Sequence, residues 1–308
     1  MDRRIAIVGA PSNIGIRPYD DGVARHLDRA PAVLRERGLA RRLGADDFGD
    51  VVPEPYVDYQ RPFDRPRNER QVLDYSRRLG DVVAAAVAQG RFALVLGGDC
   101  SIVLGSLLGA RRALGRPIGL AYVDAHADFA TAGESATGSA ASMALALAVG
   151  RGDSRLARVG GQLPLVDTRH VALVGRRDGD VSASHRALGQ SGVLDLPHAD
   201  AMPIDTGYLA AAALARAAAR DVGGLWVQVD VDVLDPSVMP AVDSPEWGGL
   251  TADELVRLLT PLVNHPRAAG MSLSIYDPAL DPDRAAARLL VGMLESLLVR
   301  RVEVSLAS

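Results

Sequence analysis

The sequence predicts an α/β fold built on one doubly wound, largely parallel sheet. Apolar runs of five to seven residues alternate with longer helical patterns along the whole chain, as in repeated βαβ units. Most of these runs are apolar throughout rather than alternating, as in parallel strands covered on both faces. No repeat, low-complexity tract or composition shift marks a second unit, so residues 1–308 read as a single domain.

Taken in order, a strand at 4–8 precedes a helical pattern at 31–42 and a Pro-rich surface loop at 52–66. A helix at 71–89 leads into a strand at 92–96 and a helix at 101–114. A strand at 118–123, a helix at 141–149, strands at 170–174 and 192–196 and a helix at 204–219 follow. The chain continues with a strand at 225–231, a helix at 252–262, a strand at 271–275 and a helix at 282–299. Thr251 and Glu254 stand at the two ends of a capping box, and Asp281-Pro282 suggests an N-cap followed by a first-turn proline.

Composition narrows the function classes. Apolar content of 48% with 23% charged residues fits a soluble globular chain with a sizeable core. A net charge of −4 leaves no electrostatic footprint for nucleic acid or an anionic membrane surface. None of the 34 basic residues is lysine, which with the heavy use of alanine reads as a coding bias and lowers the weight of any arginine pair. The start MDRRIAIVGAP holds too short an apolar run for a signal peptide, and no stretch approaches a membrane span, so a cytoplasmic protein is expected. A single cysteine excludes an internal disulfide framework.

That cysteine, Cys100, lies in Gly97-Gly98-Asp99-Cys100-Ser101, directly after a strand. Two more strand ends are acidic: Asp124-Ala125-His126-Ala127-Asp128, and Asp230-Val231-Asp232-Val233-Leu234-Asp235-Pro236. Residues i and i+2 of an extended segment project to the same side, so Asp124, His126 and Asp128 share one direction, as do Asp230 and Asp232. Four carboxylates and an imidazole gathered at one sheet edge repel and lose hydration unless a divalent cation, or two, neutralises them. Carboxylate-rich sites with one or two nitrogen ligands suit Mn²⁺, Mg²⁺ or Fe²⁺ better than structural Zn²⁺.

The motifs GGDCS, DAHAD and DVDVLDP resemble the three signatures of the arginase/agmatinase (ureohydrolase) family, usually GGDHS, DxHxD and DxDxxDP, in order and spacing. Val8-Gly9-Ala10-Pro11 with the later Gly15, and Ala30-Pro31-Ala32-Val33-Leu34-Arg35, resemble that family's opening strand and first helix. The resemblance implies a three-layer α/β/α sandwich around a parallel, eight-stranded sheet. It also implies hydrolysis of guanidino, amidino or formimino groups with two Mn²⁺ ions. Asp124 and Asp230 would bridge the metals, His126 and Asp232 would complete one shell, and Cys100 and Asp128 the other. Asp128 would also carry a proton from the attacking water to the leaving amine. The family's trimers and hexamers make a homo-oligomer an expectation, with a small guanidino or amidino molecule as the binding partner.

The chain departs from that pattern in places. Cys100 stands at the usual histidine ligand. As a thiolate ligand it shifts preference toward Zn²⁺ or Fe²⁺; as a packed thiol it leaves one metal short of a ligand. Arginase-type loop residues that hold the amino acid become, by position, Ala130, Thr137 and Ala141, of which Thr137 alone keeps a suitable group. Ile275 takes the place of the glutamate that clamps a guanidinium. Asp243 and Ser244 offer a charge and a hydroxyl near the leaving group, or form a turn before Pro245. Asp180 sits where relatives touch a substrate's amino group, or forms a turn, and Glu134 reads as a solvated loop residue rather than one that lines the entrance. His26, His170, His185, His198 and His265 read as ordinary surface or packed histidines. The expected function is hydrolysis of a C–N bond in a linear amidine other than plain L-arginine, with Asp128 and His126 as catalytic residues and Thr137, Asp180, Asp243 and Ser244 near the substrate. Two other readings stay open: a catalytically silent chain with a regulatory role, and a binder of small guanidino ligands without turnover.

Overall fold

The computed structural model describes residues 4–161, 164–179, 182–198 and 205–306. Its strands are β1 (Ile5–Gly9), β2 (Asp46–Asp50), β3 (Phe92–Leu96), β4 (Ile118–Val123), β5 (Val171–Val174), β6 (Leu194–Leu196), β7 (Gly224–Asp230) and β8 (Ala268–Ser274). They form one sheet in the order β2-β1-β3-β8-β7-β4-β5-β6, and every neighbouring pair is parallel. The strands between the two edges are buried along their whole length, which is why β1, β3, β4 and β5 are apolar throughout, while β7 and β8 carry Gln228, Asp230, Ser272 and Ser274 inside the sheet.

The helices are α1 (Ala30–Glu36), α2 (Leu39–Leu43), α3 (Glu69–Ala88), α4 (Ile102–Leu114), α5 (Ala144–Ala148), α6 (Ala183–Gln190), α7 (Thr206–Ala217), α8 (Ala252–Val263) and α9 (Ala285–Leu306). α4 packs on α3 and α5, whereas α9 packs on α1, α2 and α8, and α8 on α7. Two helical layers thus enclose the sheet, giving the α/β/α sandwich. Where α3 crosses α4 the backbones nearly touch: a Cβ on Gly109 would lie 2.5 Å from the Gly80 carbonyl oxygen and 2.7 Å from Val83 Cβ. No helix among the described residues is long and apolar enough to cross a membrane.

The structure departs from the sequence expectations where local signals were weak or broken. β2 reads DDFGD and was not expected as a strand; it is a short acidic edge, where charge discourages pairing with a further chain. β8 starts three residues before the expected run, through Ala268-Ala269-Gly270. Small residues are needed there, since a Cβ on Gly270 would meet the Trp226 ring at 2.5 Å and the Ala93 carbonyl at 2.3 Å. The single helix expected at 31–42 is divided by Gly38, whose φ of 80° lies in the left-handed region. α6 was missed; Ser182 caps it by accepting the His185 N–H. The capping box at Thr251 and Glu254 forms as expected. Asp281 does accept the Ala286 and Ala287 N–H groups, but α9 begins at Ala285, so Pro282 is not its first residue. Residue 204, expected at the start of a helix, lies outside the described residues, and α7 begins at Thr206 under an Asp205 cap.

Candidate active site

The carboxyl ends of four adjacent strands, β3, β8, β7 and β4, converge on one cleft, where ligands of open α/β sheets bind. Its volume is about 310 Å³. Cys100, Asp124, His126, Asp128, Asp230, Asp232 and Ile275 all line it.

Each acidic motif is shaped by its own turn. The strands end at Val123 and Asp230, so the shared direction of i and i+2 does not come from extended backbone as the sequence suggested. It comes from Asx turns. Asp124 Oδ1 accepts the His126 N–H at 2.7 Å, and Asp230 Oδ1 accepts the Asp232 N–H at 3.0 Å. One oxygen of each carboxylate is thereby tied to backbone, and the other oxygen of Asp230 accepts the Ser274 hydroxyl at 2.9 Å. Asp124 Oδ2 is buried without a hydrogen-bond partner.

The glycine loop before Cys100 is set by Asp99. Its buried carboxylate accepts the Ser101 and Gly15 N–H groups, each at 3.0 Å, and the Ser12 hydroxyl at 3.1 Å. This binds the loop after β3 to the loop after β1. Gly98 has φ 90°, and a Cβ there would lie 2.6 Å from the Ala10 carbonyl oxygen, so only glycine turns the chain this closely. Cys100 is consequently aimed into the cluster, with Sγ 3.0 Å from Asp230 Oδ2. Burial first, and then the charges of Asp230, Asp128 and Asp124, push its thiol well above the usual range.

Around this centre the electrostatics divide. Burial lifts Asp124 and Asp230 well above ordinary carboxylates, with Asp232 adding to both, and burial raises Asp128 to about 7. Burial would raise Asp232 too, but the adjacent His126 brings it below the usual range. His126 Nδ1 sits 2.9 Å from Asp232 Oδ2, and its own pKa is raised well despite burial because Asp232 and Asp124 face it. Asp128 adopts φ 46°, and the Tyr122 hydroxyl donates to its Oδ2 at 2.6 Å.

Donor atoms fall into two groups that share a residue. Cys100, Asp124 and Asp128 offer atoms all within 4.8 Å of one another, and so do Asp124, His126 and Asp232. An unpartnered buried oxygen on the shared Asp124, flanked by sulfur, imidazole and further carboxylates, is a donor set that fits a pair of divalent cations.

The outer cleft differs from the sequence expectations. Thr137 lines it, though its hydroxyl also accepts the Ser139 N–H at 3.2 Å. Ser244 lines it and donates to Asp243 at 3.2 Å. Asp243 lines the cleft too, but it is not a free charge: Arg25 Nε lies 3.2 Å from its carboxylate, and both side chains are largely buried. Asp180 lies outside the described residues. His185 proves to be a cleft residue, with Nε2 2.9 Å from Asp178, which in turn accepts the Ala127 N–H. Arg25, Asp178 and His185 carried no motif signal, because their partners are distant in sequence or belong to a helix the pattern did not show, and Tyr122, six residues before Asp128, read as part of an apolar strand. Ile275, buried, faces the cleft at φ 70°, a conformation that strains a β-branched residue and is found chiefly where function demands it.

Glu134 organises the loop after Asp128 rather than standing free. It accepts the Thr131 N–H at 2.8 Å and pairs with both terminal nitrogens of Arg151, at 2.7 and 2.8 Å. These bonds, Arg151 foremost, lower its pKa from 4.5 to about 2. A depressed folded-state pKa adds stability above the unfolded value and loses it as pH falls toward the folded one. Glu134→Gln is therefore expected to lower Tm by about 2–4 °C at pH 7, and the deficit to shrink as pH falls from 5 to 3. A deficit independent of pH in thermal melts would show that charge plays no part.

Comparison with known proteins places these features. The model of the arginase family matches residues 3–299. The arginase of Brevibacillus brevis is 28% identical over 305 residues, covering 96% of this chain and 98% of that protein. The solved structure of arginase from Bacillus caldovelox superposes with a TM-score of 0.85 at 28% identity, covering 96% of this chain and 98% of that one. Formimidoylglutamase from Bacillus subtilis, at 19% identity and a TM-score of 0.73 over 98% of this chain and 88% of that one, shares the fold.

Proposed function

Since the chain belongs to the arginase family, we propose that it is a two-metal hydrolase of a C–N bond in a guanidino or amidino compound other than plain L-arginine. One observation carries this reading: two donor groups meet at Asp124, whose inner oxygen is buried and unpartnered. Cys100, Asp124, Asp128 and Asp230 would hold one cation, and Asp124, His126, Asp230 and Asp232 the other. Mn²⁺ is favoured by the family, and Cys100 draws the first position toward Zn²⁺ or Fe²⁺. Bound there, the cations would supply a nucleophile from water at neutral pH and polarise the amidine.

The chain's own groups do the rest. Asp128, held by the Tyr122 hydroxyl, would accept a proton from the attacking water and deliver it to the leaving amine. His126 is oriented by Asp232. Ile275 gives the scissile group an apolar wall in place of an anionic clamp, and the Asp243 charge is already matched by Arg25. A fully cationic guanidinium therefore finds no free carboxylate outside the cluster on these two sides, which favours a less basic substrate. An N-hydroxylated guanidine meets that requirement, and a small formimino compound is the smaller amidine to test beside it.

A second reading draws on Cys100. A protonated thiol 3.0 Å from Asp230 can hold the cluster together without cations, as a silent relative would require. The test is turnover by metal-loaded protein of L-arginine, an N-hydroxyguanidine and a formimino amino acid, reading urea, hydroxyurea and formamide. Preference for one of the latter two supports the proposal. Preference for L-arginine removes the substrate assignment, and silence on all three favours the second reading.

A further inference from the structure

Between β7 and β8, on one face of the sheet, lies a continuous line of buried polar side chains. Trp226 Nε1 donates to Ser272 Oγ at 3.0 Å, and the Ser272 hydroxyl donates to Gln228 Oε1. Gln228 Nε2 donates to Ser274 Oγ at 2.8 Å, and the Ser274 hydroxyl donates to Asp230 Oδ2 at 2.9 Å. Trp226, Ser272, Gln228, Ser274 and Asp230 are fully buried. The register pairs Gln228 with Ser272 and Asp230 with Ser274, so the line zigzags across two parallel strands. It spans about 13 Å, four strand steps.

Its direction is fixed by chemistry. An indole N–H can only donate. Ser272 must therefore pass its hydrogen onward, which turns the oxygen of the Gln228 amide toward Ser272 and its nitrogen toward Ser274. Ser274 keeps its own hydrogen, for which Asp230 Oδ2 at 2.9 Å is a nearer acceptor than the Val229 carbonyl at 3.4 Å. With Asp230 Oδ1 held by the Asp232 N–H, both oxygens of this carboxylate have a protein donor. By contrast Asp124, its partner in the proposed site, has one oxygen with none. A core that needed only to be filled would use apolar residues at 228, 272 and 274, since each buried polar group costs free energy unless it is paired.

We propose that Trp226, Ser272, Gln228 and Ser274 are positioning residues: a one-directional hydrogen-bond line that fixes the orientation of Asp230 for cation binding. The inference rests on the two-metal reading above. Outer partners that orient a metal-ligating carboxylate change affinity by about 10- to 100-fold when removed.

The test is the Kd for Mn²⁺, read as free Mn²⁺ by electron paramagnetic resonance on the full chain, with Tm measured beside it. Ser274→Ala is expected to weaken binding about 10- to 100-fold and Ser274→Thr to restore it to within about threefold. Gln228→Met, one step further away and still folded if Ser274→Ala is not, is expected to lose about three- to tenfold. Binding unchanged in Gln228→Met and in any folded Ser274→Ala, with only Tm lowered, overturns the line and makes these residues structural. Wild-type protein that binds no Mn²⁺ overturns the two-metal reading and this inference together.

Discussion

Cys100→His is expected to raise the affinity for Mn²⁺ at the site shared with Asp124 and Asp128 by about 10- to 100-fold, with no loss at the other site. The thiol is buried 3.0 Å from Asp230, and burial together with three nearby carboxylates keeps it protonated without cation. A cation must therefore displace that proton before sulfur can bind, and Mn²⁺, a hard ion, gains less from thiolate than Zn²⁺ does. Histidine binds as a neutral base and removes this cost. The complementary variant, Cys100→Ala, is expected to retain one cation per chain. Both are read by metal titration at pH 7. Identical Mn²⁺ affinity in wild type, Cys100→His and Cys100→Ala would place the sulfur outside the site.

Asp128→Asn is expected to lower kcat by about 10²–10⁴-fold, the usual contribution of a positioned acid or base, while KM changes little. Asn keeps the shape and one ligating oxygen but cannot carry a proton. The Tyr122 hydroxyl would then meet the amide in place of Oδ2. Steady-state kinetics on the best substrate, together with metal content, check this. A fall in kcat that merely follows loss of bound metal would reduce Asp128 to a ligand.

How much of this was legible in the sequence follows the range of the interactions involved. The buried parallel strands announced themselves as apolar runs, and Thr251 with Glu254 announced a helix start three residues apart. The three motifs were legible because each is short and organised by its own local turn: Asp124 binds the N–H of His126, and Asp230 that of Asp232. β2 and α6 were not, because DDFGD lacks a strand pattern and ASHRALGQ lacks a long apolar stripe; both are fixed by tertiary context. Arg25 meets Asp243 across more than 200 residues, and no spacing rule reports such a pair. Gln228, Ser272 and Ser274 carried no signal in the sequence, and only the register of β7 on β8 shows them as partners. Ile275 was visible as a departure from the family's pattern, whereas its left-handed backbone and its place in the cleft wall were not.

The central claim is that six side chains, one of them the lone cysteine, still assemble a two-metal centre. The most direct measurement is elemental analysis of protein purified under reducing conditions and equilibrated with Mn²⁺, Zn²⁺ and Fe²⁺ in competition. About two metals per chain is the expected result for a two-metal site. One metal or none, in protein whose fold is intact by circular dichroism, would contradict it.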